Sequence, residues 1–354
     1  MVSIYLYGSR VNLYSLLLQV YRVQIMTINS ELLEPLVSVI IPTYNRPQYL
    51  EQAISSAFKQ TYQNIEIIVS DNFSPEDPQN LVASFGDSRI KFWRHTENVG
   101  MLTNQMNAFK MAQGKYVASL HDDDIWNQDF LAKLIPPLEA NSNLILAFCD
   151  QYIIDAQGQI NAAATEGNSR SYKRDRIASG IHEDFKKIAL VDKSIPTAAA
   201  CVIRNGLIDW DSIPAEIGGM WDLYLTYLCY ISGYAVYYYP EKLTYYREHE
   251  QTDTMLSGRR NVQAKIRKAE SEIFCYKVFM KDVRLQDYHS HFKKLWLEAN
   301  TTLGIGLLLD NETKAARSYF WQALNEQKFN LRTLTALTLS FTPQIITNKL
   351  LSVY

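Results

Sequence analysis

From Leu36 onward, short runs of consecutive apolar residues alternate with longer stretches in which apolar residues recur three or four positions apart. Runs of four to eight apolar residues bounded by turn formers are the pattern of buried strands, and the 3.6-residue period is that of helices packed by one face. Leu36–Ile41 is the first run, broken by Pro42 with Asn45, Arg46 and Pro47. Leu50, Ala53, Ile54, Ala57 and Phe58 then predict a helix, with Pro47 suited to its first turn. Ile65–Ser70 and Ile90–Arg94 are the next two strands. The turn His95–Gly100 leads into a helix marked by Leu102, Gln105, Met106, Phe109 and Ala112, and Gly114 closes it. Lys115–Leu120 is the fourth strand.

Further along, Leu144–Cys149 and Tyr152–Ile154 predict a strand and hairpin around Ala156–Gln159. Residues 161–195 are polar, basic in the stretch SRSYKRDR and poor in periodicity, so a mobile loop is expected. Thr197–Ile203 returns to the sheet. Trp221, Leu225, Leu228 and Ile231 predict a helix stopped by Gly233, and Tyr234–Pro240 and Leu243–Tyr246 follow as a strand and an edge strand. Beyond residue 255 the pattern becomes one of charged helices, including the stripe Ala315, Ala316, Tyr319, Phe320 and Ala323.

Strands alternating with helices imply an α/β fold with a mostly parallel central sheet and helices on both faces, because parallel neighbours require crossovers. Ligands of such sheets bind beyond the carboxyl ends of the strands. Four polar clusters fall there: Thr43–Arg46, Asp71–Ser74, Asn98–Gly100 and His121–Asp124. The last, HDDD, is the sharpest signal. Two unit charges about 4 Å apart repel by roughly 4 kcal/mol at an effective dielectric near 20, so three adjacent carboxylates at a strand mouth call for a cation. Hard oxygen ligands without a nearby thiolate point to Mn²⁺ or Mg²⁺, ions that commonly accompany phosphates.

The blocks VSVIIPTYNRPQYLEQAISSAFKQTYQNIEIIVSDNFSPED, ENVG and GKYVASLHDDDIW stand in the order and spacing of the inverting family 2 glycosyltransferases, and residues 36–250 resemble that family. The resemblance implies a GT-A (Rossmann-like) fold, a nucleoside-diphosphate sugar donor (UDP foremost), a divalent metal, and single displacement at the anomeric carbon onto a saccharide or lipid-linked acceptor. Pro42, Thr43, Tyr44, Asn45 and Arg46 match the first donor loop, with helix capping the plainer role for Asn45. Asp71 matches the base-reading carboxylate, while Asn72 replaces a commoner acid. Asn98 and Gly100 match the ENxG turn, and Asn104 on the next helix is a further donor-side candidate. Asp123 matches the principal metal ligand, with Asp122 turned toward the donor and Asp124 toward the metal. His121 is expected to be a hydrogen-bonding partner of the loop, and Trp126 a core anchor.

The family's general base sits in an acidic pair at a helix start, and that pair is missing from EIGGMWDLYLTYLCYISG. Asp222 is the candidate base, being the carboxylate of the first turn, where the helix dipole favours negative charge; Glu216 is the fallback. Arg247 and His249 resemble the family's R-x-H segment, implying a diphosphate contact for Arg247 and a metal or diphosphate contact for His249. The stretch 161–195 would then lie over the acceptor.

The expected organisation is an N-terminal extension over 1–34, a glycosyltransferase domain over 35–254 and a helical region over 255–354. The domain divides into a donor half (35–125) and an acceptor half (126–254). Met26 is a candidate natural start, since SLLLQVYRV is too short and interrupted to span a bilayer. The C-terminal helices are candidates for a peripheral membrane contact or a homodimer surface, with Leu331–Ile346 the most apolar stretch. A net charge of −2 gives no reason to expect polymeric nucleic acid as a partner. The four cysteines lie far apart on apolar elements, as reduced core residues of a cytoplasmic protein do, with the inner face of the plasma membrane the expected place of any peripheral contact. The alternatives are a sugar-phosphate nucleotidyltransferase, whose glycine-rich first loop PTYNRP lacks, and a non-catalytic sugar-nucleotide or glycan-binding protein.

Overall fold

The computed structural model describes residues 34–249, 261–327, 329–343 and 350, together with the backbone of 3–6 and 9–12. The expectations placed on SLLLQVYRV and Met26 lie outside those residues. Strands β1 (Ser3–Leu6) and β2 (Ser9–Asn12) pair with each other. The central sheet begins with β3 (Val37–Thr43), followed by α1 (Pro47–Phe58), β4 (Ile65–Asp71), α2 (Gln79–Ser84), β5 (Ile90–Arg94), α3 (Met101–Lys110) and β6 (Tyr116–Ser119). It continues through β7 (Ile125–Trp126), α4 (Phe130–Ala140), β8 (Leu144–Ile154), α5 (Ala162–Ser171), β9 (Gly180–His182), β10 (Cys201–Arg204), α6 (Trp221–Ile231) and β11 (Ala235–Arg247). Helices α7 (Val262–Lys281), α8 (His289–Leu309), α9 (Thr313–Glu326) and α10 (Leu331–Leu339) follow.

The strand order is β5-β4-β3-β6-β10-β8-β11-β7, with β9 joining β11. Strands β5, β4, β3 and β6 are all parallel, so this half of the sheet is the crossover architecture that the alternating pattern requires. Antiparallel pairing enters with β10, which runs opposite to both β6 and β8. The alternate residues of β3 serve two cores. Val37, Val39 and Ile41 pack with α1 and α4 on one face, while Ile40 joins α3, α6, α7 and α8 on the other. The C-terminal helices therefore share the sheet's own core, with Ile273, Tyr276, Phe279 and Phe292 continuous with Phe148 and Tyr238. A smaller cluster holds α9 and α10 against the end of α8.

Four sequence expectations are corrected. Residues 144–154 form one strand rather than two, followed by the expected hairpin turn, where Asp155 N donates to Gln159 O and Ile154 bridges Ile160; residues 235–247 likewise form one strand, whose register shifts between Tyr239 and Thr244 absorb the break at Pro240. Strand β11 lies inside the sheet between β8 and β7, so Leu243–Tyr246 is not an edge. The stretch 161–195, expected as a mobile loop, is ordered structure. Asn161 caps α5 through its bond from Ala164 N, and Thr165 Oγ1 receives Ile153 N. Arg174, almost fully buried, donates Nε to Asp150 Oδ1 at 2.5 Å, while Asp150 Oδ2 accepts from Ser169 at 2.7 Å. Such a pair depends on partners far apart in sequence, which hydrophobic periodicity cannot register.

Candidate active site

The carboxyl ends of β3, β4 and β6 bring the first donor loop, Asp71 and the HDDD motif to one edge of the sheet. The loop after β3 turns sharply, with Asn45 at φ 55°, and its amide donates to Ser74 Oγ at 2.8 Å. That conformation removes Asn45 from the cap of α1, a place taken by Arg46 without a side-chain bond. Thr43 Oγ1 and Tyr44 N donate to Asp122 Oδ2 at 2.8 and 3.2 Å. Arg46 Nη1 lies 2.9 Å from both Asp122 Oδ1 and Asp123 Oδ2, so one guanidinium ties the donor loop to two motif carboxylates. Pro42 is the half-buried penultimate residue of β3, and Tyr44 is exposed.

Asp123 also meets His249, whose Nε2 is 3.1 Å from Asp123 Oδ2. His121, Asp123 and Asp124 offer ligand atoms that all lie within 4.8 Å of one another. Asp124 is held by Arg247 N at 3.0 Å on Oδ1, whereas its buried Oδ2 has no hydrogen-bond partner; His121 Nδ1 stands 3.5 Å from it. A buried carboxylate oxygen left unbonded inside a histidine–carboxylate cluster fits a hard dication. The mixed oxygen and imidazole donor set agrees with Mn²⁺ or Mg²⁺. His121, expected as a hydrogen-bonding partner of the loop, thus belongs to the candidate metal group.

The electrostatics follow this crowding. Burial opposes charge on His121, yet its contact with Asp124 and the fields of Asp222, Asp124 and Asp123 outweigh it and lift its pKa to about 10. Burial and the Asp123 charge push Asp122 up to about 6 against the pull of Arg46 and Thr43. Burial also raises Asp124, with Asp123 adding to it. For Asp123, burial is overcome by His249, Arg46 and His121, and its carboxyl is held below the usual range. One motif therefore contains carboxylates pushed in opposite directions.

Asp71 is fully buried beside this cluster. Its Oδ2 accepts from Ser74 N at 3.0 Å and Arg94 Nη1 at 2.8 Å, and Ser74 Oγ donates to Oδ1. Arg94 and Ser74 were not among the sequence candidates, although both stand where strand runs end. Asn72 Nδ2 donates to Asn98 Oδ1 at 3.1 Å, Asn72 Oδ1 receives Val99 N at 2.9 Å, and Asn98 Oδ1 also receives Gly100 N. Asn72 and Asn98 therefore brace the ENVG turn, where Gly100 supplies the φ of 86°.

Two sequence assignments give way to structural roles. Asn104, a donor-side candidate, is buried and exchanges two hydrogen bonds with Ser70, so its amide is spent holding α3 to β4. Arg247, the expected diphosphate contact, is also buried. Its Nε donates to Asp123 O at 2.8 Å, Nη2 to Gln52 Oε1 at 2.7 Å and Nη1 to the carbonyls of Asp155 and Ala156 at 3.3 Å. Its guanidinium also lies 4.6 Å from the centre of the Tyr49 ring. Arg247 is a clamp joining α1, the motif loop and the turn after β8. The sequence signal that could have separated this role from phosphate binding is its place at the end of a strand that proves internal.

Asp222 stands in the first turn of α6, and its Oδ1 accepts from Ala198 N at 2.7 Å. Its charge acts on His121, so it lies near the motif. The turn before it, Ala215–Met220, contains Gly218 at φ 41°, where a Cβ would sit 2.6 Å from Ser271 Oγ on α7. Glu216, the fallback base, is exposed on that turn. Trp126 is the expected core anchor, with Nε1 donating to Ala199 O at 2.6 Å and its ring stacked on Phe130. All four cysteines are buried and free.

A sheet of this order, with helices on both faces and a carboxylate cluster at the strand ends, has the GT-A fold. Residues 38–195 match the model of glycosyl transferase family 2. An uncharacterised glycosyltransferase of Rickettsia typhi is 34% identical over 122 residues, covering 34% of this chain and 38% of the relative. A UDP-Glc:alpha-D-GlcNAc-diphosphoundecaprenol beta-1,3-glucosyltransferase of Escherichia coli is 41% identical over 91 residues, 26% of this chain and 36% of that protein. The match thus spans well under half the length of either relative. In fold, the chain resembles Staphylococcus aureus TarS residues 1–349 in complex with UDP-GlcNAc, at TM-score 0.57 and 15% identity over 90% of both chains. It also resembles the mannosyltransferase PcManGT of Pyrobaculum calidifontis with GDP-Man and Mn²⁺, at TM-score 0.53 and 16% identity over 91% of this chain and 88% of that one.

Proposed function

We propose that this chain is an inverting, metal-dependent glycosyltransferase. It moves a sugar from a nucleoside diphosphate, UDP foremost, to a hydroxyl of a saccharide or lipid-linked acceptor in cell-envelope or exopolysaccharide assembly. The observation that carries the reading is the meeting of the His121–Asp123–Asp124 cluster with Asp222 at one sheet edge, the two separated by 98 positions or more in sequence. The diphosphoundecaprenol acceptor in the name of the E. coli relative supports the lipid-linked arm.

In this reading Thr43, Tyr44 and Arg46 shape the donor loop, and the strand ends that carry Asp71, Asn72 and Arg94 lie on the base side. Asp123, Asp124, His121 and His249 would hold the dication, which when bound offsets the charge growing on the leaving diphosphate. Arg46, now bonded to Asp122 and Asp123, supplies positive charge at the same place. Asp222 takes the proton of the acceptor hydroxyl as its oxygen bonds to the anomeric carbon; the bond from that carbon to phosphate oxygen breaks, and the diphosphate leaves with the electron pair. One base on the face opposite the leaving group yields inversion.

The test is calorimetric titration of UDP, GDP and dTDP into the purified chain in Mn²⁺ and again in EDTA, with Asp123→Ala as control. Metal-dependent binding of one nucleotide, lost in the variant, is expected. A folded protein that binds none of them would overturn the donor-site reading and favour glycan binding without transfer.

A further inference from the structure

The last described helix is packed the wrong way round for a surface that meets only water. The inward face of α10 presents Thr333, Ala336, Leu337 and Ser340, and its polar groups are used inside the fold. Thr333 Oγ1 bonds Thr301 Oγ1 at 2.7 Å, and Ser340 Oγ and O receive Arg317. Outward stand Leu331 at 80% exposure and Leu334 at 38%, preceded by Phe329 at 90% and followed by Phe341 at 64%. Leu331 and Leu334 stand one turn apart on the outer side of α10, with Phe329 just before the helix and Phe341 just beyond its end. The helix buries Ala336 and Leu337 in the monomer but leaves its larger apolar groups outward, and apolar patches of this kind mark interaction sites.

The charge around the stripe indicates the partner. From Gln327 to Tyr354 the sequence carries Lys328, Arg332 and Lys349 and no aspartate or glutamate, in a chain of net charge −2. Glu326, the last acid before it, is paired with Lys293 at 2.8 Å. Arg332 is exposed beside the stripe, and Arg317 lies 3.9 Å from the centre of the Phe341 ring, bringing a second cation to its other end. Exposed aromatic and leucine side chains flanked by arginine, without carboxylates, match the interface of a membrane whose headgroups are anionic. No described helix is long and apolar enough to cross a membrane, so the contact is one that lies on the surface.

We propose that the outer face of α10, with Phe329 and Phe341 at its ends, docks this protein onto an anionic lipid bilayer. The inference stands on the surface alone and does not require the transfer reaction to be as proposed.

The test is co-sedimentation of the full chain with extruded vesicles, either phosphatidylcholine alone or containing about one third phosphatidylglycerol, at low and high salt. Binding to the anionic vesicles that weakens with salt is expected. The double variant Phe329→Ser with Leu331→Ser should cut partitioning about tenfold or more, and Arg332→Glu about fivefold. These residues lie outside the core, so unchanged melting temperature and unchanged nucleotide titration would show that the variants remain folded. The proposal is overturned if the wild type binds neither vesicle, if the double variant binds as well as the wild type, or if light scattering shows that this face instead joins two copies of the chain.

Discussion

Replacing Arg247 with methionine tests whether the motif loop is held by one buried clamp. The side chain is fully enclosed, and removing its guanidinium strips donors from the Asp123, Asp155 and Ala156 carbonyls and from Gln52 Oε1, along with the contact to the Tyr49 ring. The two short bonds, at 2.8 and 2.7 Å, are charge-assisted, each worth about 1.5–2 kcal/mol. The 3.3 Å bonds are weaker, and the ring contact adds roughly 0.5–1 kcal/mol. The sum is about 4 kcal/mol, within the range of about 3–5 kcal/mol for breaking a buried charged network. With an unfolding entropy of about 0.7 kcal/mol per kelvin for a chain of this length, the melting temperature should fall by about 5 °C. Arg247→Lys keeps the charge but cannot span Asp123 and Gln52 together, so its loss should be intermediate. Melting followed by circular dichroism, with UDP titration of the same samples, is the assay. Binding should weaken along with stability, because the Asp123 carbonyl loses its guanidinium donor while only the backbone bond to Asp124 remains. A methionine variant that melts within about 1 °C of the wild type would refute the clamp, since several buried acceptors would then have been left unpaired without cost.

Asp222→Asn should lower transfer by at least about a hundredfold while leaving UDP binding intact, and Glu216→Gln should leave both near wild type; a radiolabelled-donor assay with matched titrations separates the two, and a Glu216 defect would exchange their roles. Gly218→Ala should lower both stability and turnover, because the new Cβ meets Ser271 Oγ at 2.6 Å on a backbone of φ 41°. Adding Ser271→Ala should restore part of the melting temperature by removing that contact but not the backbone strain. Glu66 is buried, which opposes its ionisation, but Lys91, Ser38 and the Gln113 amide prevail and hold its pKa below 4.5. Its contribution to stability is therefore present above pH 4.5 and is lost as pH falls through the lower folded value, so Glu66→Gln should flatten the acid limb of a urea-denaturation series.

Local pattern determined the parallel half of the sheet. The runs that became β3, β4, β5 and β6 are uninterrupted and β-branched, and a strand buried on both faces has no other way to be written. Because the crossovers between parallel strands force every strand end to one edge, Thr43, Asp71 and Asp123 were placed together before any contact was known. Gly100 and Gly233 were legible for a similar reason, as chain stops whose backbone needs positive φ.

What only the tertiary structure decided is where an interaction has no local period. Arg174 and Asp150 turned a polar, aperiodic segment into ordered cover for the sheet, through a pair 24 positions apart. The guanidinium of Arg247 and the amide of Asn104 look like ligand contacts in one dimension, but burial commits their donors to the fold. Asp222 reaches His121 across 101 positions because α7 packs on the turn that aims α6, as the close approach of Gly218 to Ser271 records. Hydrophobic periodicity encodes which face of an element is buried, and long-range polar satisfaction is settled only when those faces have met.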